Sequence, residues 1–263
     1  MTFSLHESIA PGTYEASVCS APERLSQRPT NSGVRIRVQK LQIPSVEVPI
    51  RRPRLEKLLA KSLDTFPATL ISGRAGTGKT SVAVAVAKDL PRVAWYSIDS
   101  TDRSWAVFAG HFAASLETAY GETPDGLVPT PSSVETVLTE SLAGIADPTL
   151  IVLDDVHHIF DASWFDEFFN LLLRSLPENA QLLLLSRTKP PGPLWRLRSK
   201  AMLNVIDEKI LAFDTAETAT LLESLEIPAK LAEVIQSTSF GRISKILQFT
   251  GNKSPFIPPS LSS

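Results

Sequence analysis

The stretch Ile71–Ala87, ISGRAGTGKTSVAVAVA, holds at Gly73–Thr80 the eight residues GRAGTGKT, a complete G-x-x-x-x-G-K-T phosphate loop. Its glycines let the chain wrap closely around phosphate oxygens with backbone N–H groups turned inward. A helix starting at Gly78 aims the positive end of its dipole at the same oxygens. Lys79 is read as placing a charge between the β- and γ-phosphates, and Thr80 as offering a hydroxyl to Mg²⁺. The expected phosphate contacts are therefore Gly73, Arg74, Ala75, Gly76, Thr77, Gly78, Lys79, Thr80 and Ser81. ATLIS (Ala68–Ser72) before the loop is a short apolar run that reads as a buried strand, and the Ala/Val-rich residues after it read as a buried helix to about Leu90. Strand, loop and helix are the context the motif requires, so ATP or ADP with Mg²⁺ is the expected ligand.

Working outward, RVAWYSI (Arg92–Ile98), TLIVLDD (Thr149–Asp155), QLLLLS (Gln181–Ser186) and MLNVI (Met202–Ile206) read as further strands. Helical patterns separate them: Leu55, Leu58, Leu59 and Leu63 share one face, and others run near 104–118, after Ser132-x-x-Glu135, and over 163–176. Continuous apolar strands alternating with helices describe a parallel sheet covered on both faces. The expected fold is an α/β P-loop NTPase with a five-stranded, mostly parallel sheet flanked by helices. No strand is expected after Phe213. There Asp214-x-x-Glu217 caps a run of helices that forms a small C-terminal helical lid. The expected division is a flexible N-terminal extension over 1–40, a P-loop core over 41–212, the lid over 213–250 and a disordered tail over 251–263. Within the extension, Val34, Ile36 and Val38 alternate with Arg35 and Arg37 as in a short edge strand.

A second acid-bearing strand end completes the hydrolysis site. LIVLDD supplies Asp154 to hold Mg²⁺ through water and Asp155 to orient or deprotonate the attacking water, although a helix-cap or loop acid is also consistent with Asp155. His157 and His158 follow directly. Adjacent His side chains are expected to diverge, and no further Cys or His has metal-ligand spacing, so a polar place beside the phosphates is expected for one of them. The strand ending at Ser186–Arg187 points both residues at the nucleotide, because parallel sheets bind ligands at the carboxyl ends of their strands. Arg187 is read as a γ-phosphate partner, with a surface arginine in a turn as the alternative.

Bulk properties narrow the function classes. A net charge of −2 carries no global basic field, so direct DNA binding is not expected, and Arg35, Arg37, Lys40, Arg51, Arg52 and Arg54 read as a solvated face. The single cysteine, Cys19, cannot form an internal disulfide, which fits a reducing cytoplasm. A secretory leader is not expected, and the apolar runs are too short to span a bilayer, so no membrane partner is expected.

Several stretches carry a resemblance: PIRRPRLEKLL, ISGRAGTGKT, AWYSIDSTD, LIVLDDVHHI and LLLLSRTKPPGPLWRLR. Over about residues 40–245 the chain resembles the ATPase module of MalT-type regulators, which belong to the STAND class and share the module with large LuxR-type ATP-binding regulators. The resemblance implies that Ile50 and Arg52 pack near the adenine, that Lys79 and Thr80 serve phosphate and Mg²⁺, that Asp154 and Asp155 are the Walker-B acids, and that Arg187 is a sensor arginine. It also implies a switch that rests with ADP, assembles when an inducer permits ATP exchange, and is reset by hydrolysis. Two departures stand out. Sensor and DNA-binding domains are not expected in these 263 residues, and the lid stretch STSFGRISKILQF keeps Gly241 but lacks the proline that family members carry near it.

The leading expectation is an ATP-binding signalling switch with slow Mg²⁺-dependent hydrolysis, in which Lys79, Asp155 and Arg187 carry the chemistry. Nucleotide-dependent self-association or a partner protein would pass the signal on. Two alternatives stand beside it: a small-molecule kinase, against which no basic lid or acceptor site is evident, and a nucleotide-holding interaction module that does not hydrolyse.

Overall fold

The computed structural model describes residues 33–46, 50–122, 127–129 and 133–251. In chain order the first elements are β1 (Gly33–Arg35), α1 (Pro53–Thr65), β2 (Ala68–Ser72), α2 (Lys79–Ala87) and β3 (Arg92–Ser97). Next come α3 (Trp105–Ala119), β4 (Leu127–Pro129), α4 (Val134–Ala143), β5 (Thr149–Asp154), α5 (Phe165–Ser175) and β6 (Ala180–Ser186). Then follow α6 (Gly192–Ser199), β7 (Leu203–Ile206), α7 (Glu208–Leu211), α8 (Thr215–Ser224), α9 (Ala232–Ser239) and α10 (Ile243–Phe249). Five strands form one sheet in the order β3-β5-β6-β2-β7, and every neighbouring pair is parallel.

Successive strand side chains point to opposite faces, and that alternation assigns the helices. Ile71, Trp95, Val152, Leu183 and Leu185 pack with Leu55, Leu59 and Leu63 of α1 and Val82, Ala83 and Ala87 of α2. Leu70, Ala94, Tyr96, Ile151, Leu153, Leu182 and Leu184 face the other way, toward Phe108 and Phe112 of α3, Leu138 of α4, Phe168 and Leu172 of α5 and Leu194 of α6. Phe168 meets Phe108 and Phe112 edge-on, with ring centroids 4.9 and 5.2 Å apart, the geometry that aromatic quadrupoles favour. The two-faced burial explains why β5, β6 and β2 read as unbroken apolar runs. A third, smaller core of Ile50, Phe213, Leu221 and Ile246 ties the C-terminal helices to the start of α1.

Several expectations need correction. Residues 33–40, expected in the flexible extension, are built into the fold. β1 pairs antiparallel with β4, a strand the sequence does not announce, and this ribbon is separate from the main sheet. The expected alternation breaks after Arg35, where Val38–Leu41 turns into a 3₁₀ helix that buries Lys40 and Leu41. The cap of α4 is Ser133, whose side chain accepts from the Thr136 amide, so the expected Ser132–Glu135 box is out of register by one residue; Ser132 itself lies outside the described residues. The Pro-rich turn after β6 starts α6, since proline is tolerated in a first helical turn. Residues 1–32, Cys19 included, and 252–263, on which the expected extension and tail fall, lie outside the described residues. The Asp214–Glu217 capping box forms as expected. Among the described residues no helix is long and apolar enough to cross a membrane.

Candidate functional site

Register aligns the carboxyl ends of the parallel strands: Ser72 lies opposite Ser186, and Ser97 opposite Asp154. The phosphate loop leaves β2 at this edge. Gly76 and Gly78 adopt positive φ of 72° and 86°, which a side chain would strain, and the Gly73 amide donates to the Ser186 carbonyl at 3.0 Å. Thr77 is buried and its hydroxyl donates to the Arg74 carbonyl at 2.9 Å, closing the loop on itself. Lys79 opens α2 and is buried. Its ammonium donates to the Gly73 carbonyl at 2.6 Å and to the Arg74 carbonyl at 3.1 Å. Burial pulls the Lys79 pKa below its usual value, against the opposing pull of Asp155 and Asp154.

Thr80 and Asp154 are brought together, with the hydroxyl 3.4 Å from Oδ2. Asp154 is 8% exposed; burial first, and then the charge of Asp155, raise its pKa to about 6. A hydroxyl and a buried carboxylate are hard oxygen donors of the kind Mg²⁺ takes alongside substrate phosphates, so these residues fit the ion. Among the described residues no cluster of three His, Cys, Asp or Glu side chains could hold a metal unaided. Any Mg²⁺ here would therefore draw on phosphate oxygens and water for its other ligands.

Asp155 follows β5 in the left-handed region, φ 55°, and its amide donates to Asp154 Oδ1 at 2.8 Å. Its carboxylate holds Arg187 by two parallel bonds, Nε to Oδ1 at 3.1 Å and Nη2 to Oδ2 at 2.7 Å. The arginine expected at the γ-phosphate thus pairs with the acid expected to activate water. Ser186, expected to face the nucleotide, is instead fully buried, and its hydroxyl donates to the Thr188 carbonyl at 2.8 Å, which shapes the turn that presents Arg187. The His157 and His158 rings do not diverge. The 3₁₀ turn that carries them brings their centroids within 4.3 Å. His157 Nδ1 lies 3.8 Å from Asp155 Oδ1, and burial lowers the pKa of this ring.

Ile50 and Arg52 line a recess beside the loop together with Gly78, Ser81, Phe213 and Ile243. Ile243 stands two residues after Gly241, in the part of the lid where the family proline is lacking. Sequence reasoning missed the contacts that the lid makes with the loop. The Ser244 amide donates to the Gly76 carbonyl at 3.4 Å, and Arg242 Nη2 donates to the Ala75 carbonyl at 3.4 Å. Glu208 of α7 pairs with Arg74 at 2.9 Å and lies 3.7 Å from Arg242. The one available signal was the charge sequence Arg74, Glu208, Arg242, which has meaning only once the lid is placed.

The sequence profile of the AAA ATPase domain family matches residues 47–186, just over half of the chain. The chain is 32% identical over 177 residues to the HTH-type transcriptional regulator MalT of Vibrio cholerae, covering 64% of this chain and 19% of that protein. It is 31% identical over 172 residues to MalT of Serratia proteamaculans, covering 62% and 19%. This chain therefore spans about a fifth of the length of the curated relatives it matches. Among solved structures, a STAND protein with a tetratricopeptide repeat sensor from Pyrococcus horikoshii shares the fold at TM-score 0.54 and 18% identity, covering 84% of this chain and 32% of that one. A Walker-type ATPase of Pyrococcus abyssi does so at TM-score 0.52 and 13% identity, covering 76% and 66%. Phosphate loop, sheet order and sequence similarity agree: the chain belongs to the AAA ATPase domain family, with an ATPase module like that of MalT-type regulators.

Proposed function

We propose that this chain is a nucleotide-operated signalling switch that binds ATP or ADP with Mg²⁺ and hydrolyses ATP slowly. The observation that carries this reading is the Arg187–Asp155 pair, which engages the candidate γ-phosphate reader with the candidate water activator. A γ-phosphate is a second, more highly charged partner for the same guanidinium. ATP, and not ADP, would compete for Arg187 and release Asp155, which couples the identity of the nucleotide to the arrangement of the site. In this reading the amides of Gly73–Gly78 and the N-terminus of α2 cradle the phosphates. Lys79 exchanges its loop carbonyls for phosphate oxygens, and Ser81, Ile50 and Arg52 border the ribose and base. Thr80 and Asp154 would hold Mg²⁺, which neutralises phosphate charge when bound. Asp155 then takes the proton from the attacking water. The lid, over residues 213–250, would carry the change to self-association or to a partner protein, as the module's likeness to MalT suggests.

Calorimetry with ATP and ADP in the presence of Mg²⁺ tests binding, and light scattering with ADP and a non-hydrolysable ATP analogue tests the switch. A nucleotide-dependent change in mass is expected; one constant mass in both states would remove self-association from the reading. Lys79→Ala removes a charge-assisted contact, so ATP binding is expected to weaken by about 1.5–3 kcal/mol. Unchanged affinity would place the triphosphate elsewhere.

A further inference from the structure

Arg52 touches both the phosphate-loop side of the molecule and the lid. It is 6% exposed and stands on the wall of the recess beside Gly78, where a Cβ on the glycine would lie 3.9 Å from Nη1. Its Nη1 donates to the Leu211 carbonyl at 2.9 Å, and Nη2 donates to the Ala212 carbonyl at 3.1 Å and to Glu217 Oε2 at 2.6 Å. The Phe213 ring lies 3.8 Å from Cζ, stacked under the guanidinium. Arg52 Nε is buried without a hydrogen-bond partner. The neighbouring Glu217 Oε1 is likewise buried without a partner, so the two side chains meet through one carboxylate oxygen and the guanidinium tip alone.

Glu217 fixes this arrangement from the lid. It is the third residue of α8, and the capping box anchors its carboxylate to the Asp214 amide at 3.2 Å. The same oxygen accepts from Arg52 and, at 3.0 Å, from Arg54. Burial works to raise the Glu217 pKa, yet the two arginines hold it below the usual glutamate value, so a charge sits against Arg52 at neutral pH. A long arginine side chain left without that charge would regain rotamer freedom and leave the wall ill-defined. The Asp214–Glu217 signature therefore does more than start a helix.

We propose that Glu217 is a positioning residue for the base side of the nucleotide site: it holds Arg52 in the wall of the recess, so that recognition of a nucleobase depends on the lid being seated. This rests on the nucleotide-binding reading above and adds the residue through which the lid controls the base. Glu217 bonds Arg52, Arg54 and the Asp214 amide and not the phosphate loop, so its loss is expected to act on the base side while the lid's separate bonds to the loop, from Arg242 and Ser244, remain.

The test compares ATP with inorganic tripolyphosphate, both with Mg²⁺, by calorimetry on the full chain and on Glu217→Gln. Wild type is expected to bind ATP more tightly than tripolyphosphate. Glu217→Gln is expected to weaken ATP by about tenfold or more and to leave tripolyphosphate within about twofold, because only the base-side charge-assisted contact is lost. Glu217→Asp keeps the charge and the helix cap but draws the carboxylate back by one methylene, and is expected to fall between the two. A purely structural role would weaken both ligands together, and that result overturns the proposal. So does an unchanged ATP affinity in Glu217→Gln, or a wild type that does not distinguish ATP from tripolyphosphate. A wild type that binds neither ligand overturns the nucleotide reading itself, and the role of Glu217 with it.

Discussion

Asp155→Asn is expected to lower ATP turnover by about 10²–10⁴-fold while sparing ATP binding, the range that loss of a general base produces. The substitution suits the backbone. Asp155 has φ 55°, and asparagine is among the few residues besides glycine that visit this region readily. Its bond to Arg187 involves a half-exposed arginine, so its loss costs roughly 0–1 kcal/mol of stability. Freed from the carboxylate, Arg187 is available to a γ-phosphate, so the preference for ATP over ADP is expected to rise. Phosphate-release assays, with calorimetry on the same samples, measure both effects. Equal turnover in variant and wild type, with ATP bound by each, would make Asp155 a turn acid and favour a module that holds nucleotide without hydrolysing it.

The second large effect lies away from the nucleotide. Lys40→Met is expected to destabilise the fold by about 3–5 kcal/mol, the cost of stranding a buried charge. Lys40 Nζ lies 2.6 Å from Asp102 Oδ2 and 2.9 Å from Asp99 Oδ2, and Asp102 is fully buried. The pair clips the 3₁₀ turn before α1 to the turn after β3. Asp102 also caps that second turn by accepting from the Asp99 amide at 2.8 Å. Around it, Tyr96 and His111 stack at 5.5 Å, and the Tyr96 pKa is pushed well up by burial first and then by Asp102. Without Lys40, Asp99 keeps only the more distant Arg37 at 3.7 Å, and the buried Asp102 carboxylate is left with no cation. Urea denaturation measures the loss, and Lys40→Met/Asp102→Leu is expected to recover most of it, since a well-packed apolar pair can match a buried ionic one. If the double variant is no better than the single one, packing and not charge is at fault. Asp99 adds a pH signature. Burial works to raise its pKa, but the bonds from Lys40 and Thr101 hold it at about 2, below the ordinary 3.8. Its share of stability is present above pH 3.8 and lost as the pH falls through about 2. In Lys40→Met that acid step should shrink.

The main sheet could be read from the sequence because its strands are buried on both faces and leave runs such as Leu182–Leu185 that admit few other readings. The loop is legible because it follows its strand directly in the chain, and Asp154 because an acid ends an apolar strand; that Thr80 and Asp154 meet, 74 residues apart, follows from both lying at the carboxyl ends of parallel strands. What escaped depends on distant partners. β4 spans three residues and shows no alternation of its own. The proline cluster before α6 signals a turn and a helix start equally well. Ser132 and Ser133 are equivalent caps until the backbone chooses between them. The Asp155 partner of Arg187 appears only when β5 and β6 are placed side by side. The hold of the lid on the loop appears only when α10 folds back on Gly76.

That hold limits how freely the loop could be exchanged. The phosphate pattern leaves the residues between its glycines unspecified, yet here Arg74 answers Glu208, the Ala75 carbonyl answers Arg242, and Gly76 leaves room for Ser244. A Cβ on Gly76 would stand 2.6 Å from the Ser244 hydroxyl oxygen. A loop grafted from another ATPase with the same glycines, lysine and threonine would keep the cradle and discard the docking surface. The chimera would still grip phosphate, but its grip would no longer be felt by the rest of the molecule.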